Sequence, residues 1–170
     1  KALNEVKDDR GEEIIYRNYT RGGNVGSISE QLRKYGASYS IVNVWAYWCG
    51  PCKKEMPYFK NVISQLSNVQ FFSALTSGWR GYTAKMLTQS IMKGDGDHSN
   101  LQGPERKTEY LSSEQDPASV PQTFLYRGTS LIKKHNRAFA SEQELVDFLA
   151  NNGVPGANRI QASQPSTKKA

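Results

Sequence analysis

Cysteine is nearly missing from this 170-residue sequence: there are two, and histidine is just as scarce. Two cysteines three positions apart cannot supply the widely spaced bridges of a small disulfide-stapled scaffold. A structural zinc site needs four ligands, and the remaining candidates, His98 and His135, stand 37 residues apart, which does not fit the short second ligand pair of a zinc finger. No apolar run approaches the roughly 18 residues that cross a bilayer. The longest, from Ile41 to Trp48, is interrupted by Asn43 and reads as a buried strand. A long basic run is also lacking. The net charge is +6, but the cations come in scattered pairs such as Lys53 with Lys54, Arg106 with Lys107, and Lys133 with Lys134. Without an aromatic-rich RNA-binding signature beside them they read as solvated surface, so no nucleic-acid partner is expected. No internal repeat is present. The chain opens on Lys1 with no signal-peptide pattern, which suggests a mature or trimmed form whose signal or membrane tether lies outside it.

The length fits one domain, expected over 1–155, with a core at about 39–152, an N-terminal strand and helix extension over 1–38, and a flexible tail from Gly156 to Ala170. Residues 12–16 are β-prone and 20–25 read as a glycine-rich loop. The next segment is a helix: Ser27 and Glu30 form a capping box, Ile28, Leu32 and Tyr35 share a face, and Gly36 ends it. Ile41-Val42-Asn43-Val44-Trp45 is β-branched and apolar, as a central strand buried on both faces requires. From Pro51 the period becomes helical, with Cys52, Met56, Phe59, Val62, Ile63 and Leu66 on one side and Pro57 inside. A strand over 69–75 and a helix over 82–92 follow. Residues 93–119 are long, polar and irregular, as an insertion beside a site would be. The Asp95, Asp97, Ser99 run imitates a calcium loop, but Asn100 and Arg106 stand where glycine and the bidentate Glu belong. A hairpin spans 123–133 with its turn at Arg127-Gly128. A last helix is capped by Ser141 with Glu144 and closed by Gly153. This order predicts an α/β fold: a central mixed sheet with helices on both faces and its ligand edge where the first central strand meets its helix.

Cys49 and Cys52 stand at that junction. Three residues apart at a helix start, their side chains share one face, close enough for a disulfide. Cys49 meets the positive end of the helix dipole and its free backbone donors, which favour a thiolate; it is the expected nucleophile. Cys52, one turn inside, is the expected resolving thiol, attacking the mixed disulfide between Cys49 and the substrate. No metal and no cofactor beyond this redox-active pair is called for.

Trp45-Ala46-Tyr47-Trp48-Cys49-Gly50-Pro51-Cys52 resembles the thioredoxin family, and Pro57 matches its helix-kinking proline. The continuation Lys53-Lys54-Glu55-Met56-Pro57 resembles the TlpA-like branch of exported bacterial thiol:disulfide oxidoreductases. Ser119-Val120-Pro121-Gln122-Thr123-Phe124 resembles the family's cis-proline segment. The resemblance implies a thioredoxin fold and a cis peptide at Val120–Pro121 packed against the disulfide. Pro121 would remove a backbone donor near the cysteines, and the Val120 backbone would pair with an extended substrate segment. Trp48 is expected to shield the disulfide, and Trp45 to lie in the core. One departure is Asn43, which stands where cytosolic thioredoxins carry a buried Asp. It cannot accept the Cys52 proton, so another group or water must. Glu55 is the nearest acid, expected as an exposed first-turn residue.

The resemblance implies a protein-disulfide reductase-like enzyme of the bacterial periplasm, soluble or tethered to the inner membrane. Its partners would be cysteine-bearing or disulfide-containing exported proteins and a membrane redox partner that recharges the couple. Gly50-Pro51 is the dipeptide of reducing thioredoxins and leans toward reductant. A disulfide-forming oxidant and a Cu(I)-handling module using both sulfurs as soft ligands are the alternatives.

Overall fold

A computed structural model describes residues 6–18, 21–76 and 108–162. Its centre is β3 (Tyr39–Ala46), an eight-residue strand paired in parallel with β4 (Val69–Thr76) and antiparallel with β6 (Gln122–Arg127). Both faces of β3 and β4 are covered, which is why their sequences are near-continuous apolar runs rather than alternating ones. Outside them lie β5 (Thr108–Ser113), parallel to β4, and β7 (Ser130–His135), antiparallel to β6. Two short strands, β1 (Tyr16–Asn18) and β2 (Asn24–Gly26), extend the β5 side. The seven-stranded order is β2-β1-β5-β4-β3-β6-β7.

Helices lie on both faces, as the sequence predicts. On one, α1 (Ile28–Tyr35) sets Ile28 and Leu32 against Val42, Val44, Phe72 and Phe124. Its start is the capping box of Ser27 with Glu30, and Gly36 ends it at φ +60°, a conformation that costs glycine nothing. On the other, α2 (Gly50–Ser64) and α3 (Glu142–Asn151) enclose Ile41, Phe71 and Leu125 with Phe59, Val62, Ile63, Leu145 and Leu149.

Four expectations are corrected. The strand anticipated over 12–16 begins at Tyr16, because residues 8–11 form a turn closed by Asp8 Oδ1, which accepts from the N–H groups of Arg10 (2.9 Å) and Glu12 (2.8 Å). The glycine-rich loop over 20–25 ends in β2. The irregular stretch over 93–119 contains β5, whose residues are all buried between β4 and β1. The tail is not free from Gly156 onward: Ala157–Arg159 is a turn of 3-10 helix, Ala157 is fully buried, and Ile160 and Ala162 pack on the core. The helix expected over 82–92, His98, and the calcium-like run lie outside the described residues.

Two features position the site. The N-terminal segment holds the loop that leads to Pro121. Gln115 Nε2 donates to Asp8 Oδ2 (3.0 Å) and to the Glu13 carbonyl (3.2 Å), while its Oε1 accepts from the Ile15 N–H (2.8 Å). A polar row also crosses the α2 face of the sheet. Register places Tyr110, Ser73, Asn43, Thr123 and His135 side by side on neighbouring strands. Ser73, Asn43 and Thr123 are fully buried. Burying them demands partners, and Asn43 finds Glu55 and Thr123 while Ser73 finds Trp45.

Candidate active site

Cys49 is the N-cap of α2, and its Sγ accepts the Cys52 backbone N–H at 3.2 Å. A thiolate there would meet both this donor and the positive end of a fifteen-residue helix. The two sulfurs are joined in a disulfide with Cα atoms 5.3 Å apart. Cys49 is 5% exposed and Cys52 not at all, an asymmetry that suits a leading and a following thiol. Pro51 sits in the first turn of α2, where a missing N–H costs nothing. A Cβ added to Gly50 would meet nothing, since this residue between the two cysteines is exposed.

Trp48 and Val120 pack against the cluster of Cys49, Cys52, Met56 and Trp45. Trp45 itself is fully buried and donates its Nε1–H to Ser73 Oγ (2.9 Å). The Val120–Pro121 peptide is cis. A cleft of about 80 Å³ opens beside it, between Trp48, Thr76 and residues 116–120. Its floor is fixed by Thr76 Oγ1, which lies 2.9 Å from the Gln115 carbonyl and 3.0 Å from Asp116 Oδ1. A larger hollow of about 200 Å³, lined by Leu66 and Arg159, sits at the opposite end of α2, away from the sulfurs. Among the described residues no three His, Cys, Asp or Glu side chains gather as a metal-binding set.

Glu55 overturns its expected placement: it is fully buried. Oε2 accepts from Asn43 Nδ2 (2.9 Å), and Oε1 accepts from the Phe139 backbone N–H (2.9 Å). Asn43 Nδ2 also reaches Thr123 Oγ1 (3.2 Å), while its Oδ1 has no partner among the described residues. Burial pushes the Glu55 carboxyl up to about 7, against the pull of its two hydrogen bonds, with Glu144 adding a like charge. It lies one turn beyond Cys52 on the same helix face, where side chains three apart are neighbours. The helical stripe contained this signal, since Glu55 falls between Cys52 and Phe59 at buried spacing. The flanking Lys53 and Lys54 masked it. Phe139 and Thr123 gave none.

The thioredoxin family profile matches residues 27–113, just over half of the chain. A chicken thioredoxin is 33% identical over 49 residues, 29% of this chain and 47% of its own length, so the chain spans under half of that relative. A secreted Mycobacterium tuberculosis disulfide oxidoreductase homologous to E. coli DsbE shares the fold, with TM-score 0.54 and 18% identity over 82% of this chain and 96% of that one. So does a thiol:disulfide interchange protein from Bacteroides sp., with TM-score 0.54 and 15% identity over 92% and 96%. The chain belongs to the thioredoxin family.

Proposed function

We propose that this protein is a thiol:disulfide oxidoreductase that reduces disulfides in exported proteins. The observation that carries this reading is the Cys49–Cys52 disulfide capping α2 beside the Trp48–Val120 wall and Pro121. Cys49 thiolate attacks a substrate disulfide, forming a mixed disulfide and releasing one substrate thiolate. Cys52 then gives its proton to Glu55, and its sulfur attacks Cys49 Sγ. The enzyme disulfide closes and the second substrate thiolate leaves, taking a proton from water. Glu55 suits that role: a carboxyl near 7 is divided between its two forms at neutral pH, which favours proton transfer in either direction. Asn43 supports it without adding charge. Pro121, lacking an N–H, presents no competing donor to the sulfurs, and the Val120 backbone and Trp48 are the docking surface for an extended substrate segment.

Export rests on the TlpA-like run Lys53-Lys54-Glu55-Met56-Pro57 and on Asn43, and a disulfide oxidoreductase of the same fold is itself secreted. A membrane redox partner would recharge the couple. The test is substrate trapping by Cys52→Ser, which should accumulate mixed disulfides through Cys49. Stoichiometric Cu(I) binding with nothing trapped would overturn exchange. A redox titration against glutathione decides direction, and a potential well above the glutathione couple would sink the reductant.

A further inference from the structure

We infer that the 136–140 loop is a positioning device for Glu55, with His135 and Glu144 holding the Phe139 N–H against its carboxylate. The inference rests on Glu55 being the proton acceptor for Cys52. Phe139 is buried between β7 and α3, and its backbone N–H is one of the two donors to Glu55, 2.9 Å from Oε1. What fixes that N–H is fastened from both sides. On one, the His135 imidazole lies flat on the Phe139 ring, centroids 3.9 Å apart and planes 1° from parallel. Phe148 meets both rings edge-on. On the other, Glu144 accepts the Ala140 N–H (2.6 Å) and grips Arg137 with both oxygens (2.6 and 3.3 Å). Glu144 is itself placed by its backbone N–H to the Ser141 cap.

Packing alone would explain a buried Phe ring. It does not explain why a residue of the loop ahead of α3 is tethered through its N–H to a carboxylate 84 residues earlier. A hydrogen bond donated to the charged form favours that form. A loop that releases Phe139 therefore makes Glu55 harder to ionise. His135 works here as an uncharged plate: its Nε2 is buried without a partner among the described residues, and burial, then Arg137, depresses its proton affinity. The groups around Glu55 are Glu144 from α3, neutral Asn43 from β3, whose amide is shared with Thr123 of β6, and Cys52 one turn earlier on its own helix. His135 and Arg137 act on it only through the loop. Replacing His135 near neutral pH therefore changes the loop without changing the charge.

The experiment measures the pH profile of mixed-disulfide resolution in the full chain by rapid acid quench. In the parent the acid limb should centre near 7. His135→Ala should move it up by about one to two pH units, the amount one hydrogen bond to a carboxylate supplies. His135→Leu gives the same reading if the alanine variant does not fold. His135→Phe, which restores the flat ring, should bring the limb back. In a Glu55→Gln background, His135→Ala should shift nothing. An unmoved limb in His135→Ala or His135→Leu overturns the inference, even where the melting temperature falls. So does a shift that survives in Glu55→Gln. A limb that persists in Glu55→Gln alone overturns the Glu55 reading instead, and the two failures are distinct.

Discussion

Two glutamates are buried against opposite faces of the same sheet, and they have opposite acid strengths. Glu55, under α2, and Glu109, in β5 near α1, each accept a hydrogen bond from an asparagine: Asn43 at 2.9 Å and Asn18 at 2.6 Å. Burial pushes both carboxyls up. At Glu109, Arg21 adds a guanidinium held by both oxygens (2.9 and 3.2 Å), which with Tyr35 and Lys34 outweighs burial and leaves the group below its ordinary value. At Glu55 the second partner is a neutral backbone N–H, and burial wins. Burial alone does not make a reactive carboxyl. A buried carboxyl without a cation can still trade protons near neutrality, and the sheet keeps one of each kind.

That contrast can be broken experimentally. The largest effect should be on stability against pH. The folded state holds the Glu55 proton more tightly than the unfolded chain, so its contribution is present below about 4.5 and lost as pH rises through about 7. Glu55→Gln removes that loss and should be about 3 kcal/mol more stable than the parent at pH 8.5, with no advantage at pH 4, in urea unfolding. The amide fits because Asn43 can turn its unpartnered Oδ1 toward it. Glu109→Gln has the opposite sign: it destabilises above the ordinary carboxylate range, and the difference vanishes in acid as Glu109 protonates.

Next comes rate. Glu55→Gln should slow mixed-disulfide resolution about a hundredfold at pH 8, as loss of a proton acceptor does. Glu109→Gln should leave it unchanged in the same acid-quench assay. Asn43→Asp sharpens the contrast by placing a second carboxyl beside Glu55. Like charges cannot both ionise there, so the acid limb should climb by about one pH unit or more, with no effect at Glu109. The smallest effect belongs to Arg21→Gln. Arg21 is 53% exposed, so removing the cation should cost less than about 1 kcal/mol.

Local signals made much of this legible in the sequence. The caps of α1 and α3 are written within four residues, and the helix stripe after Cys52 carries its own period. The CxxC pair and Pro121 were visible as motifs 69 residues apart. What escaped depends on distant partners. Thr108–Ser113 has no alternation because β4 and β1 flank it and both of its faces are buried, so its polar residues resemble a loop. The stretch beyond Pro155 is rich in Ser, Gln, Asn and Lys, yet Ala157, Ile160 and Ala162 find the core. Glu55 read as a surface acid because Lys53 and Lys54 precede it, while the groups that bury it come from positions 43 and 139.

The fastening of Gln115 to the 8–15 segment has a consequence for the order in which the chain can assemble. β1 meets β5 across more than ninety positions of sequence, and the Gln115 bonds to Asp8 and Ile15 span 107 and 100. During synthesis β1 can pair with β2 at once, but its other edge must wait until nearly two-thirds of the chain has emerged. Once closed, it covers what would otherwise be the bare edge of β5, a row of free backbone donors and acceptors open to another molecule's strand. A cut that removed β1 and β2 would leave the cysteines in place and turn the molecule's quiet side into its sticky one.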